Sequence, residues 1–170
     1  MKRTFTLLFS FCLVFNTYLP LEAKTPDTST VTSTYTEYIN DDLYAEVELC
    51  ITSENDNTFS TYGYSRTTAS VYASTKQRTA SKTYNIKKSS GTTIGSYTLT
   101  GTFQYNGSSS ACTKASCSTS VSNSNYYFSS KSASKSGNTA TGSFTFVNSL
   151  TGTKTIKTLT LKCNADGTIQ

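Results

Sequence analysis

From Lys82 onward the chain is broken at regular intervals by turn chemistry: Ser89-Ser90-Gly91, Asn106-Gly107, Asn123-Ser124-Asn125, Ser136-Gly137-Asn138, the stretch from Asn148 to Gly152, and Asp166-Gly167. Asn, Ser and Gly at this spacing predict antiparallel hairpins, because these residues enter tight turns at little cost. Between the turns Thr and Tyr are abundant and strong helix formers are scarce, so local propensity agrees with the punctuation.

The segments between turns alternate with period two. Gly95 to Tyr105 is the cleanest strand, with Tyr97, Leu99, Phe103 and Tyr105 on one face and Thr98, Thr100, Thr102 and Gln104 on the other. Gly101 interrupts the apolar face and predicts a bulge or bend. Phe144 and Phe146 alternate with Ser143, Thr145 and Val147, and Leu159, Leu161 and Cys163 alternate with Thr158, Thr160 and Lys162. A further strand is expected over Leu43 to Thr52, with Ala45, Val47, Leu49 and Ile51 on its buried face, and a short one near Ser70 to Ser74. No amphipathic helix is available to cover these faces, so a second sheet must. The expected fold is all-β, an antiparallel, immunoglobulin-like β-sandwich of about seven strands.

Lys2 and Arg3, the apolar run from Phe5 to Phe15 and the small residue Ala23 have the layout of a secretory signal peptide. The apolar run is shorter than the roughly 18 residues a membrane span needs. Cys12 is a poor lipid acceptor, because Phe11 stands where a small residue would be needed. The expected organisation is a signal peptide over residues 1–23, a disordered acidic Thr/Ser-rich leader over 24–42, and one β-sandwich domain over 43–170, secreted and extracellular. Charge divides the same way. From Lys24 to Asn57 eight acids stand against Lys24 alone, whereas from Thr58 onward twelve bases face only Asp166. The acidic arm is expected to dock on the basic body by adding a strand to a sheet edge.

The run Gly95-Ser96-Tyr97-Thr98-Leu99-Thr100-Gly101-Thr102-Phe103, the later Cys112, the segment Ser134-Lys135-Ser136-Gly137-Asn138-Thr139-Ala140 and the terminal Thr158-Leu159-Thr160-Leu161-Lys162-Cys163 resemble small exported β-rich proteins of Gram-positive, Firmicutes- or Clostridia-type bacteria. The likeness covers about Ser81 to Gln170 and rests on strand and turn pieces. It implies a β-sandwich and a bacterial source, and it brings no catalytic residues. The chain departs from that pattern by placing Tyr126-Tyr127 where tryptophan is usual and by adding Cys50 and Cys117.

With Cys12 removed, Cys50, Cys112, Cys117 and Cys163 remain, an even number that predicts two disulfides in an exported chain. Without any histidine or close Cys-x-x-Cys pair, a zinc site is not expected. If Ala111 to Val121 is one regular strand, Cys112 and Cys117 lie on opposite faces about 16 Å apart, too far to bond each other. Alternation places Cys117 with Ala111, Ala115 and Val121 and favours Cys117 with Cys163, leaving Cys50 for Cys112. The resemblance implies instead Cys112 with Cys163 and Cys50 with Cys117. One bulge in the strand would reverse the faces and reconcile the two, and Cys112 with Cys163 is preferred.

No histidine means no Ser-His or Cys-His pair. A glycosidase needs two carboxylates about one bond, and the body offers only Asp166, in turn sequence. Ser132 and Lys135 fit the letters of a Ser-x-x-Lys motif but lie in strand sequence, and Glu54, Asp56 and Asn57 lack the rest of an EF-hand loop. The chain therefore reads as non-enzymatic, with no cofactor, and as a binding or surface-interaction domain. Lys131 and Lys135, four apart, share a face if they lie on a strand, and they predict a basic patch for an anionic cell-surface polysaccharide or host glycan. Of the consecutive rings Tyr126, Tyr127 and Phe128, at least one must point outward and could stack on a sugar. Neither nucleic acid nor, after signal cleavage, membrane is an expected partner. The alternative class is a small secreted toxin or bacteriocin-like effector, on size, export and positive charge.

Overall fold

The computed structural model describes residues 31–56 and 75–170. Their regular structure consists of eight strands: β1 (Val31–Asn40), β2 (Leu43–Asp56), β3 (Lys76–Lys88), β4 (Thr93–Tyr105), β5 (Ser110–Val121), β6 (Tyr126–Ser136), β7 (Thr139–Asn148) and β8 (Lys154–Lys162). Strands β1-β2-β3-β4-β5 form one antiparallel sheet and β6-β7-β8 a second, so the chain is the antiparallel β-sandwich its pattern predicts. Every neighbour within a sheet is also a neighbour in sequence. The connections are those of two meanders, where an immunoglobulin-like domain would carry Greek-key crossings. The export signal and the short strand expected near Ser70 to Ser74 lie outside the described residues.

The strand count exceeds expectation because of β1. Part of the stretch expected as a disordered leader pairs with β2 over its length, Tyr35 opposite Val47 and Glu37 opposite Ala45. Its composition concealed it. The residues of β1 that share the inner face with Val47 and Ala45 are Tyr35 and Glu37, so no apolar alternation announces a strand. Edge pairing to β2 satisfies backbone groups that sequence hydropathy does not register. The acidic arm thus enters the fold as the β1–β2 hairpin laid against β3, Val47 opposite Tyr84.

The predicted inner faces are buried. Tyr97, Leu99, Phe103 and Tyr105 of β4 meet Phe144 and Phe146 of β7 and Leu159 and Leu161 of β8, with Tyr84 and Ile86 from β3. Phe144 is the hub, with ring centroids 4.8 Å from Tyr97, 5.4 Å from Tyr84 and 5.5 Å from Phe128. Val147, expected on the outer face, is buried as well. Leu49 and Ile51 of β2 are only partly buried against the core, as a five-stranded sheet overhangs a three-stranded one.

Close approach explains two glycines. A Cβ on Gly101 would meet the Phe103 ring at 2.6 Å and the Ala140 Cβ at 3.2 Å, so Gly101 makes room for the facing sheet. The bulge expected there lies instead on the neighbouring strand, where the β4–β5 register slips between Thr102 and Phe103 and leaves Thr113 as the extra residue, its hydroxyl donating to the Thr102 carbonyl (3.1 Å). A Cβ on Gly142 would fall on the Tyr97 hydroxyl, which passes over it to donate to the Ser132 carbonyl of β6 (2.6 Å).

Candidate functional site

Two lysines flank Phe144 in one rank across the small sheet, Lys131 on β6 and Lys157 on β8. Because Phe144 faces inward, both begin on the inner face, each on an edge strand where the sandwich is open. Lys157 crosses the opening to pair with Glu37 of β1. Lys131 crosses the other opening to β5 and meets a hydroxyl, Thr119 Oγ1, at 3.1 Å. Four residues on, Lys135 lies opposite Ala140 on the same inner face and is exposed. Sequence reasoning therefore placed Lys131 and Lys135 on one face correctly. That face turns inward because the register slips at Ser129, which a regular alternation does not foresee.

The same slip separates the rest of the expected patch. Tyr126 is half-buried and stacked on Phe146, with centroids 5.3 Å apart and planes 4° from parallel. Tyr127 is 48% exposed and lies on the outer face, opposite Val147. Tyr126 lies about 15 Å from Lys131 along the strand. The four residues do not form one surface: the lysines make one feature and Tyr126 belongs to another. Ser132, whose hydroxyl pairs with Ser143 at 2.8 Å, lies on the outer face, away from Lys135. They do not form a Ser-Lys pair.

The acids of the arm sit at the opposite side of the fold. Besides Glu37 with Lys157, Glu46 pairs with Lys87 of β3 at 2.5 Å, and that hydrogen bond raises the Lys87 pKa. β1 and β5 are the two edges of the five-stranded sheet, so the arm does not reach the β5–β6 edge. No Asp or Glu occurs anywhere from Thr58 to Ala165, and neither Lys131 nor Lys135 has a carboxylate partner among the described residues. Asp166 accepts from the Thr168 N–H (2.9 Å), which lowers its pKa and marks it as a turn residue.

The cysteines are placed differently from expectation. Cys50, Cys112, Cys117 and Cys163 all stand as free thiols, where two disulfides were expected. The Thr113 bulge brings Cys112, opposite Phe103, and Cys117, opposite Leu99, to the same inner face, so the expected opposition of their faces does not hold. Cys50 lies at the height of Ser81, Thr100 and Ser116, three strands from β5 and on the outer face. At about 4.8 Å per strand it is about 14 Å from Cys117, beyond the reach of a bond. Cys112 and Cys163 are both buried and flank the tight β6–β7 turn, in which Gly137 takes φ 55°. The Cys112 N–H donates to the Gly137 carbonyl (2.8 Å) and the Cys163 N–H to the Asn138 carbonyl (3.0 Å). Burial raises both thiol pKa values; Lys135 opposes this at Cys112, and Arg78 opposes it at Cys163.

Comparison with known proteins finds no family model, no curated protein and no solved structure that matches the chain, so its function is argued from its own residues.

Proposed function

We propose that the chain is an exported, non-enzymatic binding domain that holds an anionic glycopolymer along its β5–β6 edge. The observation that carries this reading is the uncompensated charge of Lys131 and Lys135 on an edge where no carboxylate stands, while Lys87 and Lys157 are neutralised by the arm. A row of anionic groups along a polysaccharide would match cations that share one strand face, and a Thr119 hydrogen bond orders Lys131 without reducing its charge. On a column of sulfated dextran the protein is expected to be retained and released by salt, because attraction between exposed charges is screened within about 8 Å at physiological ionic strength. Replacing both Lys131 and Lys135 by Gln should abolish retention. Equal retention of that double variant would defeat the proposal.

We also infer that Cys112 and Cys163 are the pair that oxidises after export. Each thiol now contacts a backbone carbonyl of its own segment, Lys114 at 3.3 Å and Asn164 at 3.4 Å, and each would leave it on bonding. The two thiols would lose two protons and pass two electrons to the disulfide of an exported thiol oxidant. Peptide mapping of oxidised protein should find Cys112 joined to Cys163, with Cys50 and Cys117 still open to alkylation. Any other pairing, or none, contradicts the inference.

A further inference from the structure

At the end of the sandwich beneath the β1–β2 turn lies a cleft of about 210 Å³, open to solvent and lined by Asn40, Asp42, Tyr126, Asn148, Thr153 and Thr155 among others. It is smaller than the roughly 300–1,000 Å³ of a drug-sized pocket, so its occupant would be no larger than one small ring. The side-chain carbonyl of Asn40 accepts from the N–H groups of Asp42 and Leu43 (both 3.0 Å), and that of Asn148 accepts from the Leu150 N–H (2.9 Å). Both amide oxygens are therefore committed to their turns, which leaves the NH₂ ends as donors. Asp42 has neither an ion pair nor a side-chain hydrogen bond among the described residues, and so supplies an acceptor. The Tyr126 and Phe146 rings, stacked on each other, form the apolar wall.

Amide donors beside a carboxylate acceptor complement vicinal hydroxyls, each of which gives one hydrogen bond and receives another. An aromatic wall suits the C–H face of a pyranose ring. No basic side chain lines the cleft, so an anion is not its natural occupant. A cation cage is also unsupported, because no three His, Cys, Asp or Glu side chains come together among the described residues. We propose that this cleft binds an uncharged sugar residue, held by Asn40, Asp42 and Asn148 against the Tyr126 wall. The site does not rest on the lysine edge and would stand if that edge bound nothing.

The probes are immobilised neutral oligosaccharides of glucose, galactose, mannose, N-acetylglucosamine, N-acetylgalactosamine, fucose and xylose, with the same sugars titrated in solution while the side-chain amide signals of Asn40 and Asn148 are followed by NMR. At least one sugar should bind and shift both amides. Asp42→Asn, an isosteric change at an exposed position, should weaken binding about tenfold, as loss of a hydrogen bond to a charged group does. Tyr126→Leu should weaken it as well. Because Tyr126→Leu could also loosen the Phe146 contact, the exposed Asp42 variant decides. Lys131→Gln should leave sugar binding unchanged, which separates failure here from failure of the polyanion reading. Amides unmoved by every sugar in the panel, or unchanged affinity in Asp42→Asn, would overturn the proposal.

Discussion

Lys131 and Lys157 occupy matching positions on either side of Phe144, yet one edge of the sandwich is neutral and the other is charged. At the β1–β8 edge the acidic hairpin supplies Glu37 and the lysine becomes an internal strut. At the β5–β6 edge the facing strand offers Thr119, and the lysine has no carboxylate partner among the described residues. A cation on an open sandwich edge is therefore ion-paired or not according to what the opposite strand carries, and the lysine's own sequence context does not reveal which.

The largest expected effect removes the residue both edges share. Phe144→Ala empties the hub between Tyr84, Tyr97 and Phe128 and should destabilise by about 3–5 kcal/mol, and Leu99→Ala by about 2–5 kcal/mol. Thr100→Ala, on the outer face of β4, should stay within about 0.5 kcal/mol in denaturant titration. Comparable losses on both faces would contradict the observed register. Next come changes confined to the β5–β6 side. Tyr97→Phe leaves the Ser132 carbonyl without its donor, and Gly142→Ala obstructs the path of the Tyr97 ring; each should cost about 1–3 kcal/mol. On the β1–β8 side, Glu37→Gln breaks a half-exposed ion pair and should cost no more than about 1 kcal/mol. If Glu37→Gln proved the costlier, the ion pair would hold the sandwich together more firmly than the Tyr97 crossing.

Alkali should act on the buried centre of the sandwich. Burial raises the pKa values of Cys112, Cys163, Tyr84 and Tyr97. A group whose folded pKa is raised stabilises fully below its unfolded pKa and loses that contribution as pH climbs toward the folded value. Stability of the reduced protein should therefore begin to fall above about pH 8.5, where unfolded thiols ionise, and fall further above about pH 10 with tyrosine. Oxidation of Cys112 and Cys163 removes the thiol contribution, so the onset should move toward the tyrosine range. An unchanged onset would count against these two thiols.

Much of this was legible in the sequence. The inner faces of β4, β7 and β8 followed from period-two alternation, because both flanking layers are present and the apolar residues are strictly buried. What escaped has a common physical source. The bulges at Thr113 and Ser129 each reverse the faces downstream, and no residue type forces a bulge at either place. They moved Cys112 and Cys117 onto one face and parted Lys131 from Tyr127. β1 escaped because an edge strand on an overhanging sheet needs no apolar alternation. The pairing of Glu37 with Lys157 joins residues 120 positions apart, which charge counting alone could not assign.

The contrast between the two edges is tested most directly by measuring the salt needed to elute wild type, Lys131→Gln and Lys157→Gln from sulfated dextran. Both variants lose one positive charge, so any effect of net charge alone is equal. Lys131→Gln should elute at clearly lower salt than Lys157→Gln, whose one-unit charge loss falls at the Glu37 pair on the far edge and shifts elution only by the shared net-charge effect. Equal shifts in the two variants would show that the β5–β6 edge holds no special place in binding, and would contradict the account.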